Sequence, residues 1–227
     1  RYSPAQFRRS ELVEIFQTYA NELADVAGQR PTSYRAGGFC IEPFDRVGEA
    51  LRAVGIQTDS SVVPGMRLND RDKRYNFRTT PNAPWWYFDD EPTVSSRAGR
   101  FLEVPITSMY LSPLYYWGRL VDRLMRRQPH SVYGDGLSKS IGSRSAIRRL
   151  MALERTVELS TDGPKARQMN TAQRVGPDFP LHHVMGHPKL LSRHSLEELR
   201  KFIGKHGITR FETVTSLAEK VRGGLTA

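Results

Sequence analysis

Arg30-Pro31-Thr32-Ser33-Tyr34-Arg35-Ala36-Gly37-Gly38 decides how this chain is read. Thr32 to Arg35 read as a short buried strand, and Gly37-Gly38 supplies the turn that follows it. On its N-terminal side, Leu12, Ile15, Phe16, Tyr19, Leu23 and Val26 recur at three- and four-residue steps. That spacing predicts a helix from Ser10 to Ala27, capped by Ser10, ended by Gly28 and turning one face to a core. On the C-terminal side, Pro43 suits the first turn of a second helix with apolar Phe44, Val47, Leu51 and Val54, and Gly55 stops it. Ile56 to Val63 is again strand-like. Helix, strand, helix, strand with short loops indicates parallel βα units and an α/β fold, in which catalytic groups gather at the carboxyl ends of strands. Arg35 and Asp59 both occupy such ends.

Further out, residues Gly65 to Asp90 form a polar stretch that closes on Pro84-Trp85-Trp86-Tyr87-Phe88-Asp89-Asp90 and reads as a long loop. Its aromatic cluster either stacks on sugar rings or covers a core edge. Phe101 to Thr107 reads as a strand ended by proline. Pro113 to Arg127 reads as a basic helix with Leu114, Trp117, Leu120, Val121 and Leu124 on one side, expected to pack on the domain; Arg144 to Leu153 reads as another. Gly134-Asp135-Gly136 is a turn, lacking the spacing and lysine of a phosphate-binding loop. Pro180 to Gly186 is a strand candidate that His187-Pro188 breaks. Ser195-Leu196-Glu197-Glu198 reads as a capping box opening a helix, and a strand over Ile208 to Val214 leads to a helix capped by Thr215 or Ser216.

With 227 residues and 38% hydrophobic content the chain can bury a full core, and one large domain is expected. No run of 18 apolar residues and no charged-then-apolar leader occur, so the expectation is a chain without a membrane span or signal peptide, placed in the cytoplasm. Cys40 is the sole cysteine, which excludes an internal disulfide and a cysteine-based zinc site and marks a buried bystander thiol. Of the net charge of +10, residues Leu111 to Arg174 hold +7, with 12 Lys or Arg against 5 Asp or Glu. This basic segment reads either as a solvated face or as a surface for an anionic partner, although no nucleic-acid motif accompanies it.

The run from Arg30 to Gly38, the segment Gly55-Ile56-Gln57-Thr58-Asp59-Ser60-Ser61-Val62, the strand Glu103-Val104-Pro105 and the ending Met185-Gly186-His187-Pro188-Lys189 resemble NodB-like polysaccharide deacetylases, carbohydrate esterase family 4. The resemblance covers most of the chain but leaves the basic helical insert at about 111–174 unaccounted for. It implies a distorted (β/α) barrel, incomplete at the N-terminus. It also implies a hydrolase that uses a divalent metal, usually zinc, to remove an N-acetyl group from an amino sugar or polysaccharide. A role in bacterial surface polysaccharide (O-antigen) synthesis, on an anionic or lipid-linked substrate, fits that implication.

Residue by residue, the resemblance makes Arg35 the arginine that orients a catalytic-base aspartate. It makes Asp59 the carboxylate paired with the catalytic histidine, and His187 that histidine, the acid for the leaving amine. Met185 stands where a leucine commonly lies beside the acetyl methyl, and Phe39, Trp85 and Trp86 complete the expected substrate-binding set. Amide hydrolysis needs an activated water, a stabilised oxyanion and a proton for a poor leaving group, which is why such residue types are required. Taken singly, Arg35 also reads as a structural arginine, Asp59 as a turn cap and His187 as a partly buried histidine; as an ordered set they read as an active site.

The family's two metal-binding motifs, an aspartate pair and two histidines separated by three residues, should precede Arg35. Residues 1–34 hold no histidine and carry acidic groups only on the first helix, so the expectation places those motifs upstream of Arg1, with no metal ligand identified in this chain. Asp89-Asp90 and His183 with His187 mimic the motifs in the wrong order, and on a strand two residues four apart stand about 13 Å apart, too far for one zinc. A non-catalytic glycan-binding or scaffold protein on the same fold is the first alternative. A binder of an anionic polymer through the basic insert is the second.

Overall fold

The computed structural model describes residues 3–69, 73–125, 131–135, 156–175 and 181–225. The chain is mixed α/β and divides into two compact units. Unit 1 comprises Arg1–Ile106, Gly176–Leu181 and Glu212–Ala227, and unit 2 comprises Thr107–Val175 and His182–Phe211. No closed barrel occurs among the described residues. The helix expected over Arg144 to Leu153 lies outside them, as do Gly136 and Pro180.

In unit 1, helix α1 (Arg9–Ala27) ends as the sequence predicts, with Gly28 in the left-handed conformation at φ 68° and its N–H on the Ala24 carbonyl. It starts one residue earlier than Ser10 implies, because the Arg8 N–H donates to Glu11 Oε2 at 2.8 Å and that carboxylate closes the first turn. Only Leu12 and Ala20 are buried on α1, while Tyr19, Leu23 and Val26 are exposed, so the apolar face meets a core no further than Ala20. Strand β1 (Ser33–Tyr34) leads through a tight turn at Gly37–Phe39 to α2 (Phe44–Ala53) and back to β2 (Thr58–Asp59). Gly55 follows α2 at φ 77°, the geometry for which its glycine is suited.

β2 pairs in parallel with β1 on one side and with β6 (Phe101–Glu103) on the other, giving the anticipated parallel core. The stretch expected to be a loop contains three short strands. β3 (Arg67–Asn69) and β4 (Arg74–Asn76) form a hairpin, and β5 (Trp86–Phe88) pairs antiparallel with β6 at the sheet edge. Strands of three residues carry too little alternation to be visible in sequence.

Both sheet faces are covered. On one, Phe44 of α2 meets Phe88 and Phe101 at centroid distances of 4.8 and 5.0 Å. On the other, Leu217, Ala218 and Val221 of a C-terminal helix pack on Trp85, Leu102 and Val104. Trp85 and Trp86, expected at a substrate rim, are core residues here, and the Trp86 indole donates to the Pro92 carbonyl at 2.9 Å. A buried indole needs such an acceptor, and the packing leaves little of either ring to reach a sugar.

Unit 2 holds an antiparallel sheet with β7 (Ser108–Tyr110) between β8 (Thr156–Glu158) and β9 (Gln173–Val175). Among the described residues α3 (Pro113–Leu124), α4 (Gln168–Thr171) and α5 (Arg193–Lys205) accompany it. Its core gathers Met109, Leu111, Val157, Leu159, Met169 and Phe202. α5 begins a turn before the expected box: Ser192 is the cap, its Oγ accepting from the Ser195 N–H at 3.2 Å while Ser195 Oγ accepts from the Ser192 N–H at 2.7 Å. The expected strand from Ile208 is irregular, and α6 (Val214–Arg222), which belongs to unit 1, is capped by Thr213 rather than Thr215 or Ser216. No described helix is long and apolar enough to cross a membrane.

Candidate functional site

The sequence-predicted residues fall into two centres, one in each unit. In unit 1, the register of β2 on β6 sets Asp59 opposite Glu103. Both carboxyls are wholly buried at the carboxyl ends of parallel strands. Ser61 donates twice to Asp59, from its hydroxyl to Oδ1 at 2.7 Å and from its N–H to Oδ2 at 3.2 Å. The Val62 N–H donates to Glu103 Oε1 at 3.0 Å, which leaves Glu103 Oε2 with no separate donor. Two ionised carboxylates buried side by side repel each other, so the site favours a proton on the pair. Burial pushes the Asp59 carboxyl up. Burial and then the charge of Asp59 push Glu103 well above the carboxylate range. Both shifts favour the protonated form, that of Glu103 more strongly.

Arg35 follows β1 beside this pair. Its Nε donates to the Ser60 carbonyl at 2.9 Å and its Nη2 to Ser60 Oγ at 3.0 Å, so the guanidinium ties the β1 end to the β2 end. Burial pulls it below its usual value while the charges of Asp59 and Glu103 act to raise it. The Ala36 N–H reaches Ser61 Oγ at 2.8 Å, and the Ser60 N–H reaches the Tyr34 carbonyl at 2.9 Å. Burial and the charge of Asp59 also push up the phenol of Tyr34. Phe39 sits next to this turn at φ 63°, a left-handed conformation that bulky residues rarely adopt, with its ring edge-on to Tyr75. Cys40 is fully buried, as expected of a bystander thiol.

In unit 2, His187 is held by Asp162. The His187 N–H donates to Asp162 Oδ1 at 2.7 Å, and ring Nδ1 lies 2.7 Å from Oδ2. An ionised carboxylate only accepts, so Nδ1 carries the hydrogen and Nε2 is left as the working nitrogen. The side chain of His187 is 50% exposed and that of Asp162 only 7%, so the imidazole faces solvent while its orienting carboxylate does not.

The loop geometry explains the residues around them. Ser160 and Met185 form a parallel bridge, with the Met185 N–H on the Leu159 carbonyl and the Thr161 N–H on the Met185 carbonyl, both at 2.9 Å. A Cβ at Gly186 would stand 2.3 Å from Thr161 Oγ1, so only glycine fits before His187. Met185 itself is buried beside this bridge.

The carboxylate on the His187 ring is thus Asp162, where the sequence reading expected Asp59; Asp59 is engaged by Ser61 and Glu103. Asp162 was missed because it lies in the segment read as a basic insert. The signal present was Thr161-Asp162-Gly163-Pro164, a turn sequence that also places a carboxylate directly after a strand. Glu103 was visible only as part of a strand. Among the described residues no group of three or more His, Cys, Asp or Glu side chains could hold a metal ion. Comparison with protein-family models, with curated proteins and with solved structures gives no match to this chain.

Proposed function

We propose that this chain carries the proton-handling residues of a hydrolase that removes an N-acyl group, first of all acetyl, from an amino sugar or glycan. The observation that supports this reading best is the half-exposed imidazole of His187, fixed through Nδ1 by buried Asp162. The distorted (β/α) barrel of the polysaccharide deacetylase type belongs to the same proposal, supported by the parallel run β1, β2, β6.

In such a reaction water adds to the amide carbon as one of its protons passes to a general base supplied from elsewhere, and the C–N bond of the tetrahedral species then breaks as the nitrogen takes a proton. His187 Nε2 supplies that proton to the departing amine, and the neutral imidazole is recharged from solvent. Asp162 holds the tautomer and stabilises the charged ring before transfer. The divalent metal that the resemblance implies would polarise the carbonyl and activate the water. No three described residues fit it, so it would draw ligands from elsewhere, and no step here is routed through it.

The test uses the full-length protein with any residues that precede Arg1, supplied with divalent zinc. Acetate release is measured from N-acetylated amino-sugar oligomers and from their nucleotide- and lipid-linked monomers. His187→Ala should lower turnover about 10²–10⁴-fold, the usual contribution of a proton-transfer group. Asp162→Asn should lower it with the fold intact by circular dichroism. Unchanged turnover in a folded His187→Ala protein overturns the acid assignment.

A further inference from the structure

We propose that Arg174, His182, Lys205 and His206 form a binding site for a phosphate group, free or carried on a small-molecule ester. The four residues lie within unit 2, and the site is independent of the hydrolase reading. Arg174 stands on β9 and is the last residue of the basic segment that starts at Leu111. Its Nη1 lies 2.7 Å from His182 Nδ1 and 3.4 Å from Nε2. A guanidinium only donates, so Nδ1 accepts and the neutral ring carries its hydrogen on Nε2. His206, directly after α5, brings a second imidazole to a centroid distance of 5.0 Å from the first. Phe202 of α5 backs both rings, at 5.2 Å from His182 and 4.6 Å from His206.

This group holds positive charge without its complement. Arg174 meets a neutral ring, and Lys205 donates to the Asn170 carbonyl at 2.7 Å. Among the described residues no carboxylate pairs with any of the four. The acidic side chains of α5 are engaged elsewhere: Glu197 by Arg193 at 3.0 Å, and Glu198 by Lys201 at 2.7 Å and by Asn170 at 2.9 Å. Both imidazoles feel the resulting field. His182 is pulled down to about 4 by burial, then by Arg174 and His206, and His206 is pulled down by burial, then by Arg174 and Lys205. Arg174 and His182 are half-buried while Lys205 and His206 are exposed, so the cluster is open to a ligand from solvent. An anion is drawn to such a cluster and relieves the repulsion within it.

The donor set separates phosphate from other ligands. Two neighbouring imidazoles suit a divalent metal, but a guanidinium on one ring and an ammonium beside the other set two positive charges against a bound cation. A carboxylate offers two oxygens and one charge. Phosphate offers at least three oxygens and close to two charges, which matches a guanidinium, two ring N–H groups and an ammonium. Once bound, it favours the charged form of both rings and pushes their titration upward.

NMR of the histidine rings in the full chain at about pH 6.5 tests this, where an ordinary imidazole is half protonated. Inorganic phosphate and a hexose 1-phosphate are titrated separately, with ionic strength held constant by sodium chloride. The expected result is a saturable shift of the His182 and His206 rings with a dissociation constant on the order of 1 mM, while the His194 ring stays still. In saturating phosphate both midpoints should rise by at least about half a pH unit. Arg174→Gln should weaken binding at least about 10-fold, and the milder Lys205→Gln about 3-fold, with the far-ultraviolet spectrum unchanged. Tighter binding of the ester assigns the site to a phosphorylated ligand, and tighter binding of the free ion to inorganic phosphate. An absence of saturable shift overturns the proposal, as does equal binding of acetate or a shift that the folded variants leave unchanged. None of these readouts depends on amide hydrolysis, so their failure leaves the assignment of His187 standing.

Discussion

Replacing Glu103 by Gln and by Ala separates a shared proton from mere packing. Glu103 Oε1 accepts from the Val62 N–H, and strand register sets Glu103 opposite Asp59. Gln keeps a carbonyl for Val62 and turns an N–H toward Asp59, so at neutral pH it should hold the fold within about 1 kcal/mol of wild type. Ala leaves the buried Val62 N–H orphaned, a loss of about 1–3 kcal/mol.

The pH dependence carries the stricter test. Folding raises Glu103 above its ordinary value of 4.5, so its contribution is complete below that value and is lost as pH climbs toward the folded value. Across that window the advantage of wild type over the Gln variant should shrink with pH, by at most about 1.4 kcal/mol per unit for one proton. Asp59, also raised, adds a slope of the same sign to wild type. Urea unfolding followed by tryptophan fluorescence from pH 4.5 upward measures this. A difference between wild type and the Gln variant that is constant with pH would refute the shared proton.

Gly186→Ala should cost about 1–3 kcal/mol and displace the His187 loop, because its Cβ meets Thr161 Oγ1 at 2.3 Å. Thr161→Ala should largely rescue it, since the next atoms are at 3.7 and 4.0 Å; an additive double mutant in thermal melts would contradict the clash. Ser192→Ala should remove about 1 kcal/mol by freeing the Ser195 N–H at the start of α5, read from the urea midpoint. His182, lowered to about 4 by burial and by Arg174, should stay neutral at physiological pH. Its contribution to stability is present above the ordinary 6.5 and lost as pH falls from there toward 4; proton NMR of its ring showing a midpoint near 6.5 would oppose this.

Periodicity and punctuation made the helices of unit 1 legible. Gly28 and Gly55 end α1 and α2 where the sequence says, and the parallel pairing of β1, β2 and β6 follows from the βα rhythm. Helix starts were less legible, since Ser10 and Ser195 are good caps by type while Arg8 with Glu11, and Ser192, occupy those places. An apolar stripe also says that a face is apolar, not what covers it: the stripe of α3 was read as core-facing and is exposed. At the candidate site, Arg35, Asp59 and His187 stood out by residue type at strand ends. Their partners did not, because the hydrogen bonds from His187 to Asp162 span 25 residues and the contact of Asp59 with Glu103 comes from strand register. No local spacing encodes either.

The way the chain returns to unit 1 has a consequence for its synthesis. α6 supplies Leu217, Ala218 and Val221 to cover Leu102, Val104 and Trp85, and Arg222 donates to Thr58 on β2 at 2.8 Å. Every residue of unit 2 is made before that helix leaves the ribosome. The sheet that holds Asp59 and Glu103 must therefore wait with one apolar face open until all of unit 2 has been made, a long-range closure of the slow kind. Nor does any single cut free unit 1 intact, because a chain ended at Ile106 lacks the helix that seals it.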